Sequence, residues 1–377
     1  MSTANSSTST HADESDLGEL AAKIHAEAII IDGHCDILMP IADGKMRLSD
    51  HIEIPPSNSW QPPPGWQGSP EAAHYKFSPH TDYFQTMGQY DVPRFLAGGL
   101  TAQACAIYIE AKHLDRALER ALDMVYLLHR EDDESSSFEV VRTAEDIRRV
   151  KAEGKTSGFL TLEGFEPLGA ILRLLDIFFE LGIRMASLTH SRRNAFADGL
   201  QPGVHTGGLS ELGRDAVKRM NELGIVIDLG HLNQPGCWEV LERSEQPVVW
   251  SHTSPRRYFP AEPESSPLFG DLVQPRAREL LEELAKNGGV MGVIGFGQPS
   301  VEAFLDDIDY IVHAIGVDSA GIGTDFFGFE QAPTGFQTIA DLPIVTRGLL
   351  ARGYSADDVK KILGGNFLRV FDQVWPT

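Results

Sequence analysis

The chain has 377 residues, of which 42% are hydrophobic and 23% are charged, the composition of an ordinary soluble globular protein. Its formal net charge of −22, from 54 acidic and 32 basic residues, argues against nucleic acid and anionic membrane surfaces as main partners, because both bind basic faces. Three cysteines without a CxxC pair predict no disulfide framework, and no apolar run approaches the ~20 residues of a membrane span. We therefore expect a cytoplasmic protein.

The N-terminal region divides into a tail and the start of a domain. Residues 1–16 are rich in Ser and Thr and predict a disordered tail, not a secretory signal. Apolar spacing over 17–26 predicts a short amphipathic helix with Asp16 as its N-cap. The remainder, 17–377, is expected to form a single domain with a Pro-rich insertion at about 40–92.

Predicted strands and helices alternate along this domain. A helix is expected to begin at the N-cap Thr143, and a short strand candidate at 138–141 is left out of the count. Eight strands remain, and strands that alternate with helices indicate parallel βα units. Eight such units over this length favour a closed (β/α)₈ TIM barrel over a doubly wound sheet, and no G-x-G-x-x-G motif follows the first strand to support a dinucleotide fold. The predicted strands are 28–32, 99–109, 157–162, 184–189, 225–229, 247–250, 289–295 and 319–324.

Six of these eight strands end in a histidine, an aspartate or a glutamate. In barrel enzymes the chemistry lies at the C-terminal ends of the strands. Each residue taken alone has a structural explanation, but their joint occurrence on one rim favours a metallohydrolase site. In chain order the residues are His34, Asp36, Glu163, His190, His231, His252 and Asp325.

The number of candidate ligands predicts two metal ions. One catalytic zinc takes three protein ligands and a water, whereas His34, Asp36, Glu163, His231 and His252 provide five. A carboxylate can bridge two ions, so one zinc would be bound by His34, Asp36 and Glu163. The other would be bound by Glu163, His231 and His252. Two such ions, ~3.5–4 Å apart, would share a water or hydroxide as the nucleophile. Cys35 should point away from this site and is interpreted as a packing residue.

The chain resembles the membrane (renal) dipeptidase family of zinc peptidases, including its soluble bacterial members, among the amidohydrolase-type barrels. The resemblance covers residues 28 to 371, and the motifs are specific as an ordered set. They are Asp32-Gly33-His34-Cys35-Asp36, Leu162-Glu163-Gly164, Leu188-Thr189-His190-Ser191, Ile227-Asp228-Leu229-Gly230-His231, Ser251-His252-Thr253-Ser254, Gly323-Thr324-Asp325-Phe326 and Gly365-Asn366-Phe367-Leu368-Arg369-Val370-Phe371.

This resemblance implies roles for the remaining rim residues. Glu163 lies at the place of the family's bridging glutamate. His190 would not bind metal but would contact the substrate and stabilise the oxyanion. Asp325 would accept a proton from the bridging water and pass it to the leaving amine. Asp228 is a candidate for orienting a ligand, with a buried turn role as its alternative.

The sequence departs from the family where an arginine often binds the substrate's terminal carboxylate. Gln274 aligns with that arginine, so Arg276, Arg256 or Arg257 would have to substitute, or the carboxylate site is altered. The second glycine that the family tends to have after Glu-Gly is replaced here by Phe165.

The expected function is that of a zinc-dependent dipeptidase acting on L-Xaa-L-Xaa or L-Xaa-D-Xaa substrates. An N-acyl amino acid amidase or lactonase that uses the same binuclear site is the nearest alternative. A non-catalytic metal-storage barrel is less consistent with His190 and Asp325, since storage needs no proton shuttle. The expected partner is a small dipeptide, and a homodimer is a candidate assembly.

Overall fold

The computed structural model describes residues 8–51, 90–200, 207–259, 277–328 and 332–377. Nine strands in these ranges form one parallel sheet. The strands are β1 Ile31–Cys35, β2 Ala102–Tyr108, β3 Phe138–Val140, β4 Thr156–Glu163, β5 Ile183–Ser187, β6 Val226–Asp228, β7 Val249–Thr253, β8 Val290–Val293 and β9 Ala320–Ile322. Their order in the sheet is β2-β1-β9-β8-β7-β6-β5-β4-β3, with a further β2–β4 pairing. That pairing closes eight strands into a barrel, so the predicted (β/α)₈ TIM barrel is confirmed.

The strand β3, which the sequence analysis set apart, pairs only with the beginning of β4. Phe138 lies opposite Thr156 and Val140 opposite Gly158, whereas β5 pairs with β4 from Leu160 onward. β3 therefore extends the wall beneath β5 and is not one of the eight barrel strands.

Helices surround the barrel and follow most of the strands. They are α1 Thr8–Glu27, α2 Leu38–Ala42, α3 Val92–Ala97, α4 Ala117–Glu134, α5 Ala144–Ala152, α6 Leu174–Leu181, α7 Glu211–Leu223, α8 Gln234–Arg243, α9 Pro255–Tyr258, α10 Ala277–Lys286, α11 Val301–Ile315, α12 Leu342–Ala351, α13 Ala356–Lys360 and α14 Asn366–Val374. The predicted cap of α5 is confirmed, because Thr143 Oγ1 accepts a hydrogen bond from Asp146 N at 3.1 Å and the two residues form a capping box.

The interior at the N-terminal end of the barrel is filled by apolar side chains. Ile31, Ala102, Phe159, Met185, Val226, Val249 and Val290, from seven strands, share one buried cluster with residues of α14. Phe371 and Trp375 stack at 4.0 Å, and each ring meets Phe159 edge-on at 5.2 Å. Because the last helix and the residue after it close this end, the opposite end remains for a site.

Two predicted boundaries near the N-terminus differ from the structure. α1 begins at Thr8, so Asp16 lies inside a helix and the predicted N-cap is wrong. Residues 8–16 of the predicted tail belong to the same helix. β1 begins at Ile31 rather than at residue 28, because its pairing with β2 starts where Ile31 meets Ala102. Most of the predicted insertion at 40–92 lies outside the described residues.

Candidate metal centre

The seven rim residues converge at the C-terminal end of the barrel. β1 carries His34, and a shift of register between Asp32 and Cys35 turns the end of the strand. Gly33 allows β7 and α14 to approach this strand closely, since a Cβ there would lie 2.7 Å from Ser251 O and 2.8 Å from Phe367 Cζ. The strand ends therefore bring the histidines and carboxylates together across the barrel mouth.

Glu163 lies between two groups of candidate metal ligands. One group is His34, Asp36 and Glu163, and the other is Glu163, His231 and His252, with the ligand atoms of each group within 4.8 Å of one another. Glu163 Oε2 is 3.7 Å from His34 Nε2, whereas Glu163 Oε1 is 3.1 Å from His231 Nε2. The two carboxylate oxygens thus approach different groups, which is the arrangement a bridging ligand needs.

His190 and Asp325 lie beside these ligand groups. His190 Nε2 is 3.9 Å from Glu163 Oε1, and His190 belongs to none of the ligand groups found among the described residues. Asp325 Oδ1 is 3.7 Å from His34 Nε2 and forms a third group with His34 and His252. The side chains of both residues therefore adjoin residues of the two ligand groups.

The carboxylate of Asp36 is incompletely hydrogen-bonded, which is the state expected of a metal ligand. Its Oδ1 atom is buried and has no hydrogen-bond partner among the described residues. A buried carboxylate oxygen without a partner is costly, and a metal ion would satisfy it. Imidazole nitrogens with carboxylate oxygens are a donor set that suits zinc, so the residues present fit the expected metal.

Burial controls the protonation of the site. It lowers the pKa of His34 to about 3 and that of His231 to about 4, and it holds the pKa values of His190 and His252 well below the usual range. The imidazoles are therefore neutral at pH 7, which is the form that binds metal. Burial, and then repulsion by neighbouring carboxylates, raises the pKa values of Asp36 and Asp325: Glu163 acts on Asp36, and Asp36 and Glu163 act on Asp325. A cation would relieve that repulsion.

The residue Asp228 orients one of the histidines through a serine. Ser251 donates its hydroxyl to Asp228 Oδ2 at 2.6 Å, and Ser251 Oγ lies 2.8 Å from His252 Nδ1. Asp228 Oδ1 also accepts the Gly230 N–H at 2.9 Å. The two alternative roles of Asp228 therefore occur together, because one carboxylate shapes the turn and fixes His252.

Comparison with known proteins identifies the family. The family model described as membrane dipeptidase (peptidase family M19) matches residues 19–376. The chain belongs to the membrane dipeptidase family. The resemblance inferred from the motifs is thus confirmed, and the chain is a metallopeptidase of the dipeptidase class, a hydrolase that acts on peptide bonds.

Individual relatives agree with this assignment. The dipeptidase is 30% identical over 314 residues to "Dipeptidase aclJ" of Aspergillus oryzae, which covers 78% of this chain and 72% of the relative. Its fold is similar to the crystal structure of the metallopeptidase named dipeptidase AC, with a TM-score of 0.74 and 24% identity over 93% of this chain and 99% of that one. It is also similar to a Rhodobacter sphaeroides metallopeptidase liganded with a phosphinate mimic of L-Ala-D-Ala, with a TM-score of 0.72 and 24% identity over 93% of this chain and 100% of that one.

The arginines that were candidates for binding the substrate carboxylate make other contacts in the dipeptidase. Arg256 donates to Asp307 and, at 2.8 Å, to Ala303 O, both on α11. Arg257 donates to Gly297 O at 3.3 Å. Arg276 and Gln274 lie outside the described residues. Arg256 and Arg257 therefore both bind residues of the segment 297–307.

Sequence reasoning missed a buried polar network beneath the metal site of the dipeptidase. Asp32 accepts hydrogen bonds from Thr324 N at 2.7 Å, Thr324 Oγ1 at 2.6 Å and Tyr90 OH at 2.9 Å. This network joins β1 to the loop that carries Asp325. Asp32 opens the motif of the first strand, but nothing in the sequence signals that Tyr90 reaches it.

The backbone is strained where the dipeptidase places two of its rim residues. His231 has φ 59° and Asp325 has φ 56°. These angles lie in the left-handed backbone region that residues other than glycine seldom adopt. Such strain persists where surrounding structure enforces it and is typical of functional sites.

One further group of acidic residues and a histidine does not resemble a metal site. Asp43, Glu110 and His113 lie close together, but Arg120 NH2 donates to Asp43 Oδ1 at 2.7 Å and to Glu110 Oε1 at 3.1 Å. We interpret this group as an ion-pair cluster because the guanidinium already occupies it. Among the described residues of the dipeptidase, no helix combines the length and apolar character that crossing a bilayer requires.

Proposed function

We propose that the chain is a zinc-dependent dipeptidase that hydrolyses the peptide bond of L-Xaa-L-Xaa or L-Xaa-D-Xaa substrates. Two zinc ions per chain would be held, one by His34 and Asp36 and the other by His231 and His252, with Glu163 shared. The observation that carries the proposal is the position of Glu163, whose two oxygens approach different ligand groups.

Zinc held by these residues would supply polarisation of the scissile carbonyl and a lowered pKa of bound water, so that hydroxide would be available at neutral pH. The protein must then hold the substrate, move one proton and stabilise negative charge on the carbonyl oxygen. These are the tasks of Asp325 and His190.

Asp325 is the proposed proton carrier. Its carboxylate is partly exposed, with 14% of the side chain accessible, and lies 3.7 Å from His34 Nε2. Burial and the neighbouring Asp36 and Glu163 raise the pKa of Asp325, which favours retention of a proton between its removal from water and its delivery to the leaving amine.

His190 is the proposed oxyanion donor. Burial holds its pKa well below the usual range, so it acts as a neutral imidazole. A neutral imidazole protonated at one nitrogen can donate a hydrogen bond to the developing oxyanion. The ring of His190 lies 4.0 Å from that of His231, which places this donor beside the second ligand group.

The substrate class is supported by the comparisons. Relatives are named dipeptidases, and the Rhodobacter sphaeroides enzyme has a ligand that mimics L-Ala-D-Ala. The N-acyl amino acid amidase or lactonase alternative receives no support from any contact described above. A cytoplasmic location and a homodimer stay predictions from the sequence.

The test is a screen of zinc-loaded enzyme with dipeptides that carry an L- or a D-residue at the C-terminus, beside N-acyl amino acids and lactones. We expect cleavage of dipeptides, loss of activity after chelation and recovery when zinc is restored. Turnover of N-acyl amino acids or lactones with inert dipeptides would contradict the proposal.

A further inference from the structure

The dipeptidase needs a cation for the terminal carboxylate of its substrate, and an arginine that the sequence analysis did not consider lies at the site. Arg192 follows His190 by two residues on the loop after β5. Its NH2 group donates to Ile109 O at 2.8 Å, just beyond the end of β2. The guanidinium therefore spans from the fifth strand's loop to the second strand's end, along the rim of the barrel.

The guanidinium lies against a ring that belongs to the site. Arg192 Cζ is 5.9 Å from the centroid of the Tyr108 ring, and that ring is 4.5 Å from the ring of His190. Tyr108 is also the register partner of Glu163 in the β2–β4 pairing. Since paired residues of neighbouring strands point to the same face, Tyr108 stands beside the predicted bridging carboxylate. Arg192 is thus one side chain away from both Glu163 and His190.

The hydrogen bonding of Arg192 leaves donors for a ligand. Its Nε is buried with no hydrogen-bond partner among the described residues. The nearest carboxylate oxygen, Glu166 Oε1, is 3.6 Å away and is itself buried without a partner. Glu166 thus holds the positive charge in place without saturating its donors, and the side chain of Arg192 remains 28% exposed.

The described competitor Arg256 is already engaged elsewhere, because its guanidinium is bound to Asp307 and Ala303 O on α11.

We propose that Arg192 binds the C-terminal carboxylate of the dipeptide substrate and so supplies the contact expected from the arginine that Gln274 replaces. This inference rests on the proposed dipeptidase function. A planar guanidinium binds a carboxylate through paired hydrogen bonds. With His190 on the scissile carbonyl of the first residue, Arg192 would hold the terminal carboxylate of the second residue and exclude longer peptides, whose chain continues at that point.

The test compares two phosphinate dipeptide mimics as inhibitors of the zinc-loaded enzyme, one with a free C-terminal carboxylate and one with a carboxamide. We expect the native enzyme to bind the carboxylate form at least about 10-fold more tightly, the size of a charge-assisted contact. Arg192→Gln should reduce that preference to about one and raise KM for free dipeptides. Arg192→Lys should retain part of it, because lysine keeps the charge but not the planar fork.

The matched control is Arg193→Gln, which removes the same charge from the adjacent residue, whose guanidinium pairs with Asp198. It should leave the preference unchanged, and zinc content and melting temperature should show that each variant is folded. If Arg192→Gln does not fold, the test rests on Arg192→Lys, which should prefer the carboxylate mimic over the carboxamide mimic less strongly than the native enzyme does.

An unchanged preference in the Arg192 variants, or no preference in the native enzyme, would overturn the role of Arg192. The proposed dipeptidase function would fail separately, if the native enzyme neither cleaved dipeptides nor bound either mimic. The same inhibition assay on Arg256→Gln tests the competing arginine, and loss of the preference there would also overturn the inference.

Discussion

The Nε2 atoms of His231 and His252 lie 2.8 Å apart, at the ends of the neighbouring strands β6 and β7. Ser251 lies between His252 Nδ1 and the Asp228 carboxylate. Because an ionised carboxylate only accepts hydrogen bonds, Ser251 donates to Asp228 and accepts from His252 Nδ1–H. The Nε2 lone pair of His252 is therefore available, beside His231 and Glu163, for a metal ion.

Removal of this orienting serine should weaken metal binding. Ser251→Ala deletes the acceptor that fixes the His252 tautomer, and changes of this kind typically cost 10- to 100-fold in metal affinity. Competition with a zinc chelator of known affinity measures the effect. Ser355→Ala, which removes an exposed hydroxyl that caps α13, should leave zinc affinity unchanged. Equal zinc affinity in both variants would refute the orienting role.

The protonation of the metal-free site predicts proton release on zinc binding. Burial, and then repulsion by Glu163, raises the pKa of Asp36, and burial raises the pKa of Glu163. These carboxyl groups therefore keep their protons at pH values above those at which free carboxyl groups lose them. His34, with a pKa of about 3, is neutral at pH 7 and holds none to displace. Zinc requires deprotonated ligands, so it displaces carboxyl protons and binds more tightly as the pH rises.

Calorimetric titration of the metal-free enzyme with zinc at pH 7, in buffers of different ionisation enthalpy, counts these protons. We expect a net release of protons as zinc binds. Zinc binding without proton release, or an affinity that falls as the pH rises, would contradict the protonation assigned to the site.

Asp325→Asn should separate proton transfer from metal binding. Asparagine keeps the size of the side chain but cannot carry the proton, so kcat should fall by about 10²- to 10⁴-fold while zinc content stays that of the native enzyme. Steady-state kinetics on a dipeptide with parallel metal analysis makes the measurement. Asp307→Asn, a change of the same kind at the partner of Arg256, is the control for loss of a buried charge. Nearly native turnover in Asp325→Asn would rule out the proton-carrier role.

The network beneath the site predicts a stability effect. Tyr90 is fully buried and donates its hydroxyl to Asp32 at 2.9 Å. Tyr90→Phe removes that donor from a buried carboxylate and should lower the free energy of unfolding by about 1–3 kcal/mol. Urea denaturation of the zinc-loaded enzyme measures it, with Tyr126→Phe, at an exposed ring, as the control. Equal stability of the two variants would show that the network contributes little.

The residues that the sequence could predict are those at or just after the C-terminal end of a strand. His34, Glu163, His231 and His252 could be placed on one rim because parallel strands of a barrel end at the same face. Arg192 and Tyr90 could not, since their positions depend on how loops fold back over the strands. The start of β1 was also missed, because the apolar run from Ile29 marks burial and not the residue at which pairing begins.

The central claim is that Glu163 is shared by two zinc ions, and the zinc content of Glu163→Gln tests it most directly. Native enzyme purified with zinc should contain two ions per chain, and Glu163→Gln should lose affinity for both, since each ligand group contains this residue. Glu166→Gln, a matched change at a carboxylate that belongs to neither group, should keep both ions. One zinc ion in the fully active native enzyme, or two tightly held ions in Glu163→Gln, would contradict the account.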